Sequence, residues 1–530
     1  DYVKPEVDIP DDWRYSIEEA SGTVNSLWWE QFGDPVLDAL INEALINNKD
    51  VRIAAARVEE FAARVDITRS GFYPQVGYDG SAGRDKTSLG GGNSRINDSY
   101  LAALNVGWEL DIWGRIRRAT EAARAQLLAE EEVRRTVILT LVSSVANSYI
   151  NLRSLDRQLE IAIRTLQSRG ESVDLFQTKY EGGVVSALEV AQVRSEYEQA
   201  AVRIPSLERQ IALQENALSI LLGHNPGAIP RGKTIDELLL PQVPEGLPSE
   251  LLARRPDIQR AEQDLIAANA QIGVARSQYF PTISLSGLFG YASDELSDLL
   301  QSSSEIWGIG ADALGPIFTG GRISNQVRAT EAVQRQALVG YAQTVQTAFR
   351  EVDDALISNV KRREELVAQE RQVAALQDYA RYAQIRYDEG QVSYIEVLDS
   401  QRRLFDAELL YTQSENEVHA AMISIYKAMG GGWVGYGLSG GFGGARFEGT
   451  GLLIMMGGIL AANLWVALEP LFYRRQLLKR LQLGLTEPLV VDRFLLWGCG
   501  SLARTAMVVV GGTNSFLEQQ MGTTAPLVQS

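Results

Sequence analysis

Cysteine and histidine are nearly missing from this chain: one and two, respectively, among 530 residues. That leaves too few soft ligands for a zinc-type site and no thiol–imidazole pair for nucleophilic catalysis. His224 falls in the turn Gly223-His224-Asn225-Pro226 and His419 in a helical run, neither beside a matching Ser, Cys or ligand cluster. No enzyme is expected, and no cofactor or metal. The lone Cys499 lies near the C-terminal end, and the cysteine-free remainder suits an oxidising compartment. An excess of positive charge is missing too: 50 Lys and Arg stand against 67 Asp and Glu, for a net charge of −17. Without a basic patch to neutralise phosphates, nucleic acid is excluded as a partner. No signal-peptide pattern stands at Asp1, so the numbering is expected to begin after a processed one.

Proline is absent over long stretches. Between Gly320 and Gly430 there is none, and only Gly321, Gly340 and Gly390 interrupt a run rich in Ala, Gln, Glu, Arg and Leu. The pattern predicts one helix over 322–387 and a second over 392–429, joined by Tyr387-Asp388-Glu389-Gly390-Gln391-Val392-Ser393. About 65 helical residues reach about 100 Å, far beyond the three or four turns of an ordinary globular helix. Such a helix crosses a distance.

The same object occurs twice. An offset of 207 residues, the interval from Asp50 to Asp257, relates Arg69-Ser70 to Arg276-Ser277, Pro74 to Pro281 and Gly114-Arg115 to Gly321-Arg322. It also carries Tyr180 to Tyr387, Gly183 to Gly390, Ser186 to Ser393, Glu189-Val190 to Glu396-Val397 and Gly223 to Gly430. One offset held through loops and helices alike is a tandem duplication. Pro205 stands where the second copy has Thr412, and is expected to kink the first return helix.

The duplication organises the chain. Residues 1–49 read as an extended arm, carrying Trp13, Trp28 and Trp29, then a short helix that Asp34 caps and Pro35 opens. Residues 50–223 form the first repeat, 224–256 an equatorial linker with a short helix near 247–254, and 257–434 the second repeat. Residues 435–530 are a Gly-rich and apolar tail.

Inside each repeat the period changes to two. Tyr100, Ala102, Leu104, Val106, Trp108 and Leu110 alternate with smaller or polar residues, after a strand over 74–83 with Val76 and Tyr78 on one side. In the second repeat Ile283, Leu285, Phe289 and Tyr291 share a face, as do Trp307, Ile309, Ala311 and Ala313. Strands of about 9–12 residues, apolar on one face, fit a tilted crossing of a bilayer. They fit two hairpins on a soluble sheet as well. If they span lipid, four strands cannot close a barrel and open edges are not tolerated, so the chain must oligomerise.

The strands return into the long helices at Trp113-Gly114-Arg115 and Thr319-Gly320-Gly321-Arg322, and the first long helix is expected over 116–179 with its return over 187–222. Two apolar stripes mark it, Val137-Leu141-Val145-Tyr149 and Leu152-Leu155-Leu159-Ile163, with polar residues between. A helix with two packed flanks and one wet face is a stave of a hollow cylinder; a solid antiparallel coiled coil is the alternative.

Several ordered motifs carry a resemblance: Tyr2-Val3-Lys4-Pro5-Glu6-Val7, Trp28-Trp29, Arg254-Arg255-Pro256-Asp257-Ile258, Tyr279-Phe280-Pro281, Gly320-Gly321-Arg322, Leu398-Asp399-Ser400-Gln401-Arg402 and Tyr426-Lys427-Ala428-Met429-Gly430-Gly431-Gly432-Trp433. Over residues 1–434 the chain resembles the outer membrane factor family, the exit ducts of tripartite efflux and secretion systems, and most closely its lipoprotein branch that partners resistance-nodulation-division pumps. The resemblance implies a mainly α fold with a membrane β-barrel part. It implies a homotrimer in which long helical hairpins form a trimeric α-barrel and four strands per chain complete a 12-stranded barrel. It implies outer-membrane lipid around the strand residues Tyr100, Leu104, Val106, Trp108, Ile283, Leu285, Phe289, Trp307 and Ile309. Hairpin tips at Tyr180, Gly183, Ser186, Tyr387, Gly390 and Ser393 would dock a periplasmic adaptor and, directly or through it, the inner-membrane pump. That branch carries an acylated N-terminal cysteine, which Asp1 does not supply.

Ile395, Asp399 and Arg402 share one helix face by their spacing. Taken alone they are a solvated face with an ion pair worth about 0–1 kcal/mol. The resemblance makes them the closed periplasmic constriction, where three Asp399 side chains form a cation-favouring ring and Arg402 pairs with a carboxylate on the neighbouring helix. The expected function is a passive exit conduit of a tripartite drug or toxic-compound efflux system. A type I protein-secretion duct and a structural coiled-coil stalk are the rivals. The tail falls outside the resemblance: Gly451–Leu468 is an uncharged apolar run at the lower limit for a membrane helix, and Phe494–Gly511 is a second.

Overall fold

The structure, a computed structural model, describes residues 2–5, 9–10, 13, 27–90, 93–241, 243 and 248–431. The chain divides into two units, Asp1–Gly437 and Leu438–Ser530. Both apolar tail runs and Cys499, Trp433, and most of residues 1–26 lie outside the described residues.

The first unit contains α1 (Pro35–Asn47), α2 (Lys49–Ser70), β1 (Gln75–Gly90), β2 (Asn93–Leu110), α3 (Arg115–Glu181), α4 (Ala187–Leu222), α5 (Pro248–Arg254), α6 (Pro256–Ser277), β3 (Thr282–Ser293), β4 (Glu305–Leu314), α7 (Arg322–Asp388) and α8 (Tyr394–Ala428). The duplication survives at element boundaries. The 207-residue offset, that from Arg115 to Arg322, carries α2 onto α6 and α3 onto α7 end for end. Both long helices have 67 residues, about 100 Å at 1.5 Å per residue. The second return helix begins at Tyr394 rather than Val392, because Ser393 is extended and takes the N-cap position that Ser186 takes before α4.

Shorter helices stack end to end to match the long ones. The Asn48 amide donates to the Leu221 carbonyl at 2.9 Å, while its Oδ1 accepts from the Asp50 and Val51 amides that open α2. Asn48 is thus the cap. The repeat-related Arg255 donates to the Ala428 carbonyl at 2.8 Å, and pairs with Asp257 at 2.6 Å and Glu351 at 2.7 Å. Each contact satisfies orphan carbonyls at one helix end from the start of the next. The result is four staves per chain: α4 running into α2, α3, α8 running into α6, and α7. The first long helix packs against α2, α4, α6 and α8, and α7 packs on α6 and α8. Pro205 lies inside α4, which stays one continuous helix through it.

The sheet is antiparallel in the order β1-β2-β3-β4, so β1 and β4 are its edges. β1 and β2 have 16 and 18 residues, longer than the alternation suggested. Pairing of β2 with β3 stops at Tyr100↔Ser293, whereas β1–β2 pairing continues to Gly90↔Asn93. That overhang is polar and charged, so no apolar period marks it, yet the backbone ladder continues and Arg84 meets Asp98 across it at 3.1 Å.

Trp28 and Trp29 are not on a surface arm. They lie in a 3₁₀ turn, Trp28–Phe32, and all three aromatic side chains are buried. Trp28 stacks on Tyr426 at 5.3 Å, which ties the start of the chain to the end of α8. The stripe Leu141-Val145-Tyr149 is buried with them, but Ile163 is 49 % exposed and drops out of the second stripe. Asp34 is the hub of this region and is wholly buried. Its Oδ1 accepts from the Val36 amide at 2.9 Å; its Oδ2 accepts from the Tyr149 hydroxyl at 2.8 Å and the Lys233 amide at 3.1 Å. The Gly232 amide donates to the Tyr149 oxygen at 2.8 Å, so α1, α3 and the linker meet on one carboxylate. Burial, and then the bond to Asp34, push the Tyr149 hydroxyl pKa upward.

Candidate functional site

The two hairpins turn at equivalent points. Gly183 and Gly390 hold φ of 72° and 74°, the left-handed conformation that lets each long helix reverse. Ser186 closes a capping box with Glu189, whereas Ser393 makes no side-chain cap bond. The tips are not equal in surface. Tyr180 is 46 % exposed, and Val184 and Leu188 are exposed beside it, an apolar end on the first hairpin. Tyr387 turns inward: its ring lies 4.9 Å from Tyr394 and 6.4 Å from Phe176, with the Lys179 ammonium 5.4 Å from its centroid. Phe176 and Tyr394 meet at 4.2 Å, so an aromatic cluster joins the two hairpins just above their turns.

Ile395, Asp399 and Arg402 lie on the flank of α8 beside that cluster, whose members Tyr394, Val397 and Leu398 are buried. Ile395 is 58 % exposed. Among the described residues of this one chain, Arg402 reaches no carboxylate on another helix. It donates to Asp399 on its own helix at 2.6 Å, and Arg403 reaches the second Asp399 oxygen at 2.8 Å. Spacings of three and four on a helix put both guanidinium groups in reach before any neighbouring stave competes. The carboxylate is therefore bracketed, and the local balance is one positive charge in excess.

Arg169 is a residue that sequence reasoning missed. It is 4 % exposed, donates to the Glu196 carbonyl oxygen at 2.5 Å, and lies 5.2 Å from the Phe405 ring centroid. Burial lowers its pKa, opposed chiefly by Glu196. One guanidinium thus fastens α3, α4 and α8 near the tips. Its repeat partner is the apolar Leu376, so the duplication hid rather than advertised it.

At the other end, register collects the apolar strand residues on one face. Leu104 lies opposite Phe289, Trp108 opposite Leu285, and Phe289 opposite Trp307, while Gly287 separates Val106 from Ile309 along one rung. Tyr100 and Ile283 fall on the same face at its two ends. Val76 and Tyr78 extend the row on β1. The reverse face carries Asp79, Asn105, Glu109, Ser284, Ser286 and Asp312. Trp307 and Ile309 are 72 % and 86 % exposed. Such a face, in water, is uncovered.

Two strands of a two-faced sheet followed by one helical hairpin are the duplicated unit, and one family profile matches it twice. The profile, described as outer membrane efflux protein, covers residues 40–224 and 247–431, two segments at the chain's own repeat offset. The chain belongs to the outer membrane efflux protein family. Its location is the outer membrane of a Gram-negative bacterium, and its task is efflux. It is 37 % identical over 443 residues to the cation efflux system protein CusC of Escherichia coli K12, covering 82 % of this chain and 95 % of the relative. It is 36 % identical over 444 residues to the toluene efflux pump outer membrane protein TtgC of Pseudomonas putida, covering 82 % and 92 %. Among solved structures, the open-state MtrE outer membrane channel of Neisseria gonorrhoeae superposes with a TM-score of 0.75 at 29 % identity, covering 82 % of this chain and 98 % of that one. The fold class inferred for this outer membrane efflux protein, helical hairpins carrying part of a membrane barrel, stands.

Proposed function

We propose that this chain is the exit duct of a tripartite efflux system of the resistance-nodulation-division type, working as a homotrimer. One observation carries the reading: sheet and staves end in free edges on matching sides. The edge strand β1 follows α2, and the edge strand β4 leads into α7. A head-to-tail interface that joins the β4/α7 edge of one copy to the β1/α2/α4 edge of the next closes a ring. About eight strands enclose only their own side chains; three copies of the 4-stranded sheet make twelve, enough for a lumen. The face of Leu104, Phe289 and Trp307 then meets lipid, and the face of Asn105 and Asp312 meets water.

The hairpin tips are the docking points for a periplasmic adaptor, with the exposed Val184 and Leu188 as the apolar contact. The inner-membrane pump supplies the energy, and the duct is passive. Ile395, Asp399, Arg402 and the added Arg403 form the narrow periplasmic end. The test is twofold. Images of the detergent-solubilised particle should show a three-fold tube more than about 100 Å long, and planar bilayers containing it should pass ions. A monomer without a lumen, or a particle that conducts nothing under any condition, overturns the reading.

A further inference from the structure

We infer that the outward face of the β1–β2 overhang holds the phosphate groups of a phosphorylated glycolipid in the outer leaflet, through Arg84 and Lys86. The inference rests on the reading that the face of Leu104, Phe289 and Trp307 meets lipid, and adds a headgroup partner at its far end.

The sheet has two unlike ends. β1 follows α2 and β4 leads into α7, so the helices lie at one end of the strands and the Gly90↔Asn93 pair at the other. Alternation places every second residue of β1 on the lipid face: Val76, Tyr78, Gly80 and Ala82, then Arg84 and Lys86. Opposite them on β2 run Val106, Leu104, Ala102, Tyr100, Asp98 and Ile96. Tyr100, Tyr291 and Trp307 are the last outward aromatic residues on β2, β3 and β4 before this end. An aromatic girdle marks the edge of the hydrocarbon in such sheets. Beyond Tyr100 the row turns to charge.

Distance puts the cations at headgroup depth. Arg84 and Lys86 lie one and two outward positions past the Ala82↔Tyr100 pair. At about 3.4 Å per residue and a tilt near 40°, those positions stand about 5 and about 10 Å above it. The polar layer on each side of a bilayer is about 5–8 Å deep. Arg84 falls inside it, and Lys86 reaches back into it on a long stem.

The charge pattern fits an anion with an apolar body. The Arg84 side chain is 73 % exposed although its Nε meets Asp98 at 3.1 Å. One carboxylate cannot occupy all five guanidinium N–H groups, and the rest present a fork suited to phosphate. Lys86 is exposed, and so is Ile96 opposite it, which sets an aliphatic surface beside the ammonium. Asp85 and Arg95 of the same hairpin fall on the inward row. The second hairpin is built otherwise. Its connection, residues 294–304, contains Asp294, Glu295 and Asp298 but no Lys or Arg, and Glu305 stands on the outward row opposite Tyr291. Direct contact with phosphate is therefore favoured at the β1–β2 overhang and opposed at the β3–β4 end. A lipid carrying both acyl chains and phosphates satisfies the apolar row and the two cations at once.

The test titrates the full chain, purified in neutral detergent, with diphosphorylated lipid A and with the same lipid stripped of its phosphates, following the melting temperature. The phosphorylated lipid should raise it in a saturable way, and the stripped lipid should not. Arg84→Gln/Lys86→Gln should need at least about tenfold more lipid for half the rise, because two charge-assisted contacts are lost. Arg95→Gln, on the inward row, should titrate like wild type. The comparison of the two lipids needs no variant, so it decides the matter even if the double variant does not fold. An equal rise with either lipid, or an unshifted titration in the double variant, overturns the phosphate site and leaves the lipid face standing. An equal loss in Arg95→Gln overturns the assignment to the outward row. Equal membrane recovery of Leu285→Arg and Ser286→Arg overturns the lipid-face reading, and this site with it.

Discussion

Asp399 carries two guanidinium partners on its own helix, Arg402 at 2.6 Å and Arg403 at 2.8 Å. The simple picture of an acidic ring therefore changes sign at close range. Asp399→Ala leaves two unbalanced arginines per chain at the proposed narrow end. The expected outcome in planar bilayers is a shift of the reversal potential in a KCl gradient toward anion preference, with a modest rise in conductance. Unchanged selectivity would place these side chains away from the ion path. Gly232 poses a different residue-scale test. A Cβ there would stand 2.1 Å from Asp34 Oδ1, inside the buried hub. Gly232→Ala must push the linker off Tyr149 or break the carboxylate's bonds, at a cost of about 2–4 kcal/mol. A clear fall in melting temperature is expected, and a wild-type melting curve would contradict the hub. No sequence pattern pointed to Gly232, because its constraint comes from a carboxylate nearly two hundred positions away.

Element by element, what was legible followed repetition and period. The duplication, the long helices, their return turns and the outward strand rows could all be read from single-chain patterns, because helix spacing and strand alternation are local. The β1–β2 overhang could not be, since Arg84, Asp85 and Lys86 have no apolar period. Trp28 and Trp29 were misplaced because aromatic residues near a chain end look alike on an arm and in a core. The Asp399 bracket was half legible: the spacing put Arg402 on the face of Asp399, but Arg403 was not singled out. Helix α8 also carries two titrating groups of opposite sense. Burial, with help from Asp236, raises the Glu415 carboxyl to about 7, while burial lowers His419 to about 4. For Glu415 the fold favours the neutral acid, so its stabilising effect is complete below about 4.5 and is lost as pH rises through about 7. For His419 the fold favours the neutral ring, so stability is present above about 6.5 and is lost as pH falls through about 4. Glu415→Gln should thus raise the melting temperature at pH 8 by about 2 °C, a figure discounted for partial exposure. The gain should vanish near pH 4. A gain that grew toward acid would show that the carboxyl is charged and paired in the fold.

At the scale of the whole molecule, the decisive question is which solvent each face of the sheet meets. Leu285 and Ser286 are neighbours on β3, pointing to opposite faces, with Leu285 beside Trp108 and Ala311 and Ser286 beside Gly107 and Gly310. The same substitution at both separates the solvents. Leu285→Arg puts a cation on the face of Val106, Phe289 and Ile309, where burial in a bilayer would cost about 2–4 kcal/mol per chain near its midplane. In the proposed trimer three copies multiply that cost, so the protein should be lost from the outer-membrane fraction or recovered without its trimer. Ser286→Arg adds the same charge to the face of Asn105 and Asp312. It should insert normally and shift ion selectivity toward anions, because the cation lines water. Were the sheet water-exposed on both faces, the two variants would fractionate alike and neither would alter conductance. One residue of displacement along a strand, with the chemistry held constant, therefore tests the membrane, the lumen and the strand register together.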